Sequence, residues 1–128
     1  MKKTIWLIVF LVLAIAVHAA VNTQYFGKSP SIIVSLIKQE PDQVEPGKQT
    51  EVSFKLDNNG TTAYNLIFEI VPGYPFSLLP GESPSKFIGT LGTSQDGKQS
   101  VIVKYKLKVA QDAVDDNHEI KVKYKNDN

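Results

Sequence analysis

The chain has 128 residues, 14 basic and 13 acidic side chains, a formal charge of +1 and no cysteine. That length allows one domain once a leader is set aside, and the lack of cysteine excludes a disulfide framework, a thiolate metal centre, a dithiol redox motif and a lipid-bearing cysteine anchor. Every basic residue is a lysine; a nucleic-acid binder would carry a basic excess and arginine forks for phosphates and base edges, so that class is set aside.

Met1-Lys2-Lys3-Thr4 followed by an unbroken apolar run from Ile5 to Val17 and then His18-Ala19-Ala20 has the layout of a secretory signal. The run is shorter than the ~20 apolar residues a spanning helix needs, and the small residues at Val17 and Ala19 suit cleavage after Ala19. The competing reading is an uncleaved signal anchor, with Ala20-Val21 extending the run past His18; both readings place the domain outside the cytoplasm. Removing residues 1–19 takes away Lys2, Lys3 and Trp6, leaving 12 lysines against 13 acids, no tryptophan, and His118 as the single histidine.

Residues 20–30 are polar and aperiodic and read as a linker. From Ser31 onward, period-two runs alternate with turn signals. Ser31–Lys38 (SIIVSLIK) is β-rich, and the prolines of Glu40-Pro41-Asp42 and Glu45-Pro46-Gly47-Lys48 end it. Thr50–Asp57 puts Val52, Phe54 and Leu56 on one face and Glu51, Ser53 and Lys55 on the other. Asn59-Gly60 reads as a tight turn, because both residues accept positive φ at little cost. Tyr64–Val71 then sets Tyr64, Leu66, Phe68 and Ile70 on a common face. Ser77–Leu79 suits a short edge strand, and Phe87–Leu91 a further short strand. The longest alternation, Ser100–Val109, turns Val101, Val103, Tyr105, Leu107 and Val109 inward and Lys104, Lys106 and Lys108 outward. Gln111–Asn117 is polar and acidic, with room for one helical turn, and Glu119–Lys125 closes with Ile120, Val122 and Tyr124 inward and Lys121, Lys123 and Lys125 outward. About seven short strands at this spacing imply an all-β, immunoglobulin-like antiparallel β-sandwich over residues 31–128.

Three cues in order carry a family resemblance: the Pro46-Gly47-Lys48 turn before the second strand, Asp57-Asn58-Asn59-Gly60 after it, and Gly89-Thr90-Leu91 before the long strand. In these the chain resembles the small Ig-like modules of prokaryotic surface proteins, those associated with archaeal S-layers and the CARDB-type adhesion domains. The resemblance spans Ser31 to about Tyr124 and implies an adhesion-like envelope role. Such modules usually occur in tandem, whereas one copy and no internal repeat stand here. The antibody branch is not implied, since its Cys…Trp…Cys core is missing.

Few residues suggest chemistry. His118 lies among Asp115, Asp116 and Glu119, but one histidine beside loop acids does not meet the ligand count of a zinc site, and no nucleophile elbow accompanies it for hydrolysis. Asp112, Asp115, Asp116 and Asn117 offer oxygens of the kind calcium takes without the spacing of an EF-hand loop; no metal, cofactor or catalytic residue is expected. Asn59-Gly60-Thr61 is a glycosylation sequon with Asn59 as candidate acceptor. Tyr25, Phe26, Tyr74, Pro75 and Phe76 fall in loops, where they either plug the sandwich ends or form a binding loop, with Tyr74 and Phe76 as the candidate pair. The lysine rows suit an anionic polymer or serve to blunt strand edges. The sequence thus implies a non-enzymatic, secreted or cell-surface module whose partner is an envelope protein or a surface glycan, with self-association through strand edges as a further route. The alternative is a small carbohydrate-binding domain.

Overall fold

The computed structural model describes residues 29–94, 99–114 and 116–127. The leader expected at 1–19, most of the 20–30 linker, and Tyr25 and Phe26 lie outside the described residues.

Among the described residues seven strands form: β1 (Ile32–Glu40), β2 (Gln49–Asn58), β3 (Ala63–Val71), β4 (Phe76–Leu78), β5 (Ser85–Leu91), β6 (Ser100–Val109) and β7 (Lys121–Asp127). They build two antiparallel sheets of order β1-β2-β6-β4 and β5-β3-β7, a β-sandwich of immunoglobulin-like type, with β1, β2, β6 and β4 in the places of strands A, B, E and D. Alternation explains the burial. Val52, Phe54 and Leu56 of β2 and Tyr105, Leu107 and Val109 of β6 are fully buried, while Lys104, Lys106 and Lys108 face solvent. β2 and β6 pair in unbroken register from Gln49↔Lys108 to Asp57↔Ser100, the longest uninterrupted ladder.

Between the sheets, Phe54, Phe68 and Tyr105 pack with ring centroids 5.6–6.2 Å apart in tilted and edge-on arrangements, the geometry that aromatic quadrupoles favour. The Tyr105 hydroxyl donates to the Pro84 carbonyl at 2.9 Å, an oxygen that also accepts from the Ile70 N–H. Burial pushes the Tyr105 phenol well above the ordinary tyrosine range, and burial raises Tyr124 as well. Folding therefore favours the protonated phenols. Stability from this source is fully present below the unfolded tyrosine pKa of about 10 and is lost as pH rises through it toward the higher folded values. Denaturant midpoints should hold level from neutrality to about pH 9 and fall beyond about pH 10, with a shallower fall in Tyr105→Phe. A Tyr105→Phe profile parallel to wild type would contradict this assignment.

Two expectations are corrected. Tyr64 does not face the core; it is 54% exposed. Asn65 adopts φ 50 and the β3 register shifts between Ala63 and Leu66, so the alternation slips and Ala63 takes the inward place instead. A short side chain that tolerates the left-handed region makes this slip inexpensive.

Asn59-Gly60 is not a hairpin turn either. β2 and β3 lie in different sheets, and positive φ occurs instead at Asn65, Gly47, Gly81 and Gly89. The segment crosses between sheets beneath the start of the domain: Asn59 N–H donates to the Ser31 carbonyl at 2.9 Å and Thr61 N–H to that of Ser29 at 3.2 Å. Gly60 is required by this approach, since a Cβ there would lie 2.1 Å from the Ser29 carbonyl oxygen. Gly60→Ala should therefore displace the 29–31 segment and destabilise the domain by on the order of 2 kcal/mol. The check is a chemical-denaturation midpoint, and one within error of wild type would contradict the close approach.

The segment 111–117 shows a turn at Gln111 and Asp112 and no helix among its described residues. The turn is closed by Ala113 N–H donating to the Ala110 carbonyl at 3.1 Å, and Ala110, just before the segment, donates its own N–H to the Pro75 carbonyl at 2.7 Å.

Candidate functional site

Two surfaces stand out, at different places on the sandwich. The first is an end cleft of about 530 Å³ lined by Lys48, Ser77, Lys108, Gln111 and the Pro46-Gly47 turn. The turn is held to the end of β6 by a pair of backbone bonds, Gly47 N–H to the Val109 carbonyl at 3.0 Å and Val109 N–H to the Lys48 carbonyl at 2.9 Å. Gly47 has φ +78, the left-handed region in which glycine is at ease. Lys48 and Lys108 make no ion pair among the described residues, so the cleft presents two uncompensated ammonium groups beside a hydroxyl and an amide, a donor set that suits anionic groups.

The candidate pair Tyr74 and Phe76 divides here. Tyr74 is 65% exposed, and its hydroxyl donates to the Asp112 carbonyl at 3.2 Å, which fixes the ring beside the segment that lines the cleft. Phe76 is buried: as the first residue of β4 it pairs with Val109 and turns into the core, and its ring meets the His118 imidazole edge-on at 6.2 Å. Phe76 therefore offers no ring to a surface ligand, which corrects its place in the binding loop. His118 is accounted for by this packing and by the 3.0 Å contact of Nε2 with the Val114 carbonyl.

The second surface is the outer face of the β5-β3-β7 sheet and its β7 margin, which pairs with no further strand among the described residues. Cross-strand register puts Phe87, Ile67 and Lys125 in one row, Ser85, Glu69 and Lys123 in the next, and Val71 beside Lys121 in a third. Residues paired this way share a face. Phe87 is 70% exposed, and Lys123 pairs with Glu69 at 3.3 Å while Lys121 and Lys125 pair with no acid among the described residues. Sequence reasoning turned Phe87 toward no surface; its position in register with Ile67 becomes visible only once β5 is paired with β3.

The two lysine rows lie in different sheets and form no common patch. On the β1-β2-β6-β4 face acids interleave with the lysines, with Lys104 3.7 Å from Glu51, Lys55 3.4 Å from Asp57 and Lys38 2.6 Å from Glu40. These exposed pairs each contribute at most about 1 kcal/mol, and they leave Lys106 and Lys108 of β6 without an acid partner among the described residues.

Asn59 is exposed at the opposite end of β2 from the cleft, on the order of 30 Å away along a strand of this length. Asp115 lies outside the described residues, and among the described residues no three His, Cys, Asp or Glu side chains converge.

The amide missed by sequence reasoning is Asn58, which is fully buried. Its Oδ1 accepts from Ser31 N–H at 3.0 Å and Gly60 N–H at 2.9 Å, and its Nδ2 donates to the carbonyls of Thr61 at 2.7 Å and Leu91 at 3.0 Å. All the hydrogen-bonding capacity of an Asn side chain is thus used. No signal beyond its place before a turn marks it in the sequence.

No family model matches the chain, and no curated protein or solved structure is significantly similar to it.

Proposed function

We propose that this domain is a non-enzymatic, exported interaction and spacing module of the cell surface or envelope, of the kind associated with S-layers and adhesion. The observation that carries the proposal is the β7 margin: a regular strand at the edge of the sandwich among the described residues, bearing Lys121, Lys123 and Lys125 on the face that exposed Phe87 shares from β5, across β3. Strand edges bind other polypeptides through backbone hydrogen bonds, with alternate side chains giving selectivity. The leader pattern supports an extracytoplasmic setting. Crosslinking on intact cells of the source organism, followed by identification of adducts, tests the proposal; a chain recovered only as free monomer would contradict it.

A second reading, a small carbohydrate-binding domain, is favoured by one specific feature: the exposed Tyr74 ring fixed beside the Lys48 and Lys108 cleft. An aromatic face and two cations suit an acidic sugar. This reading expects binding on a glycan array that disappears in Tyr74→Ala and in Lys108→Ala, and a silent array leaves the first reading in place.

A further inference from the structure

We infer that the edge of β7, which pairs with no strand other than β3 among the described residues, accepts an added strand in trans, and that its partner is an extended polypeptide segment in which acidic and apolar residues alternate. This rests on the interaction-module reading and names the chemistry of its partner.

Among the described residues the sheets are unequal, four strands facing three, and β7 is the edge at which a further strand would restore the match. In sandwiches of this type the sheet holding the third strand commonly carries one more beyond this position. Burial falls off toward that side. Phe68 and Ile70 of β3 are 0% and 1% exposed, whereas Val122 of β7, paired with Ile70, is 8% exposed, and Tyr124, paired with Phe68, is only half-buried. On the other sheet the inward-facing Leu36 of the edge strand β1 is likewise half-buried.

The remaining edges are blocked by recognisable devices. β1 is interrupted by a register shift between Leu36 and Lys38. β4 spans only Phe76–Leu78. β5 carries Gly89 at φ +86 and two register shifts against β3. It also turns Lys86 inward: the ammonium lies 4.5 Å from the centre of the Tyr105 ring, pairs with Glu82 at 3.2 Å and donates to the Lys104 carbonyl of the other sheet. β7 keeps unbroken register with β3 from Lys121 to Lys125, its register shift falling beyond Lys125, and the device it carries is charge, its three outward lysines.

Its lysines determine which strand can pair. In a two-fold antiparallel pairing of β7 with its own copy, every in-phase register centred on Lys123, Tyr124 or Lys125 sets a lysine against a lysine: Lys123 on itself, Lys123 on Lys125, or Lys125 on itself. Like charges directly opposite are destabilising, and shifting by one residue would send Val122 and Tyr124 to the solvent face. An acidic residue opposite each of Lys121, Lys123 and Lys125, with apolar residues opposite Val122 and Tyr124, satisfies both faces at once.

The test is amide hydrogen exchange on the full chain with two synthetic peptides, one alternating Val and Glu and one alternating Val and Lys, together with the charge-reversed variant K121E/K123E/K125E. The expected result is roughly tenfold slower exchange at alternate amides between 121 and 127 with the Glu peptide alone, weakening as salt rises, and a preference inverted by the variant. Should the variant not fold, the Glu-against-Lys peptide comparison on the unaltered chain decides alone. Equal protection by both peptides, none by the Glu peptide, or protection confined to the Lys48 and Lys108 cleft would overturn the inference. If intact-cell crosslinking nevertheless yields a protein partner, the interaction-module reading survives that outcome.

Discussion

Replacing Asn58 with alanine should destabilise the domain by roughly 2–4 kcal/mol, the largest loss expected from any polar substitution. Its four side-chain bonds join three parts of the chain that are far apart in sequence: the entry to β1 at Ser31, the crossover at Gly60 and Thr61, and the end of β5 at Leu91. A fifth bond, in which the Asn58 backbone N–H donates to the Ser94 hydroxyl oxygen at 3.0 Å, ties in the loop after β5. Each bond contributes about 1 kcal/mol net, and stranding a buried donor or acceptor costs more than that. Asn58→Asp is the sharper probe. It keeps the acceptor facing Ser31 and Gly60 but removes both donors, placing a carboxylate against the Thr61 and Leu91 carbonyls, so it should be at least as damaging as alanine at neutral pH and partly relieved in acid. Thermal and urea unfolding of both variants provide the measurement. A midpoint for Asn58→Ala within error of wild type would mean that the amide is not the clamp described.

Phe54→Ala should cost roughly 3–5 kcal/mol, a large part of the 5–15 kcal/mol that holds a typical domain folded. Phe54 is fully buried, contacts both Phe68 and Tyr105, and sits at the middle of the β2·β6 ladder opposite Val103. The cavity would open where the two sheets meet, with no disulfide to limit the loss. The comparison is Phe87→Ala, a deletion of the same size at a residue 70% exposed, for which a change within about 0.5 kcal/mol is expected. Similar losses in the two variants would contradict the assignment of core and surface.

These cases show what was legible in the sequence. Period-two alternation is a local signal, and it located the β6 strand to the residue and the inward faces of β2 and β7. Its failure at Tyr64 has a local cause, since a single left-handed Asn65 shifts the phase of everything before it. The Asn-Gly signal failed for another reason. A turn dipeptide shows that the chain changes direction and not whether the next strand joins the same sheet; what selects glycine at position 60 is the approach of Ser29, thirty-one residues earlier in the chain. Asn58 was read with its neighbours as turn material, because hydrogen bonds to Ser31 and Leu91 leave no periodic trace.

The surfaces were legible to a lesser degree. Tyr74 and Phe76 share a loop in the sequence and part company in the fold, because β4 begins at Phe76 and directs its ring to the core. The lysine rows were visible, and the strand topology sets them on two sheets. The acid that pairs with Lys104 of the β6 row comes from β2, and the exposed Phe87 that shares a cross-strand row with Lys125, across Ile67 of β3, comes from β5. Only strand pairing brings those residues together.

The proposal that β7 is an interaction edge is tested most directly by a photo-crosslinking side chain placed at Lys125 on β7 and, separately, at Lys106 on β6, in the protein expressed in its own cells. The expected result is an adduct with a second polypeptide from position 125 and a much weaker one, or none, from position 106. Free monomer from both positions, or equal adducts from both, would contradict it.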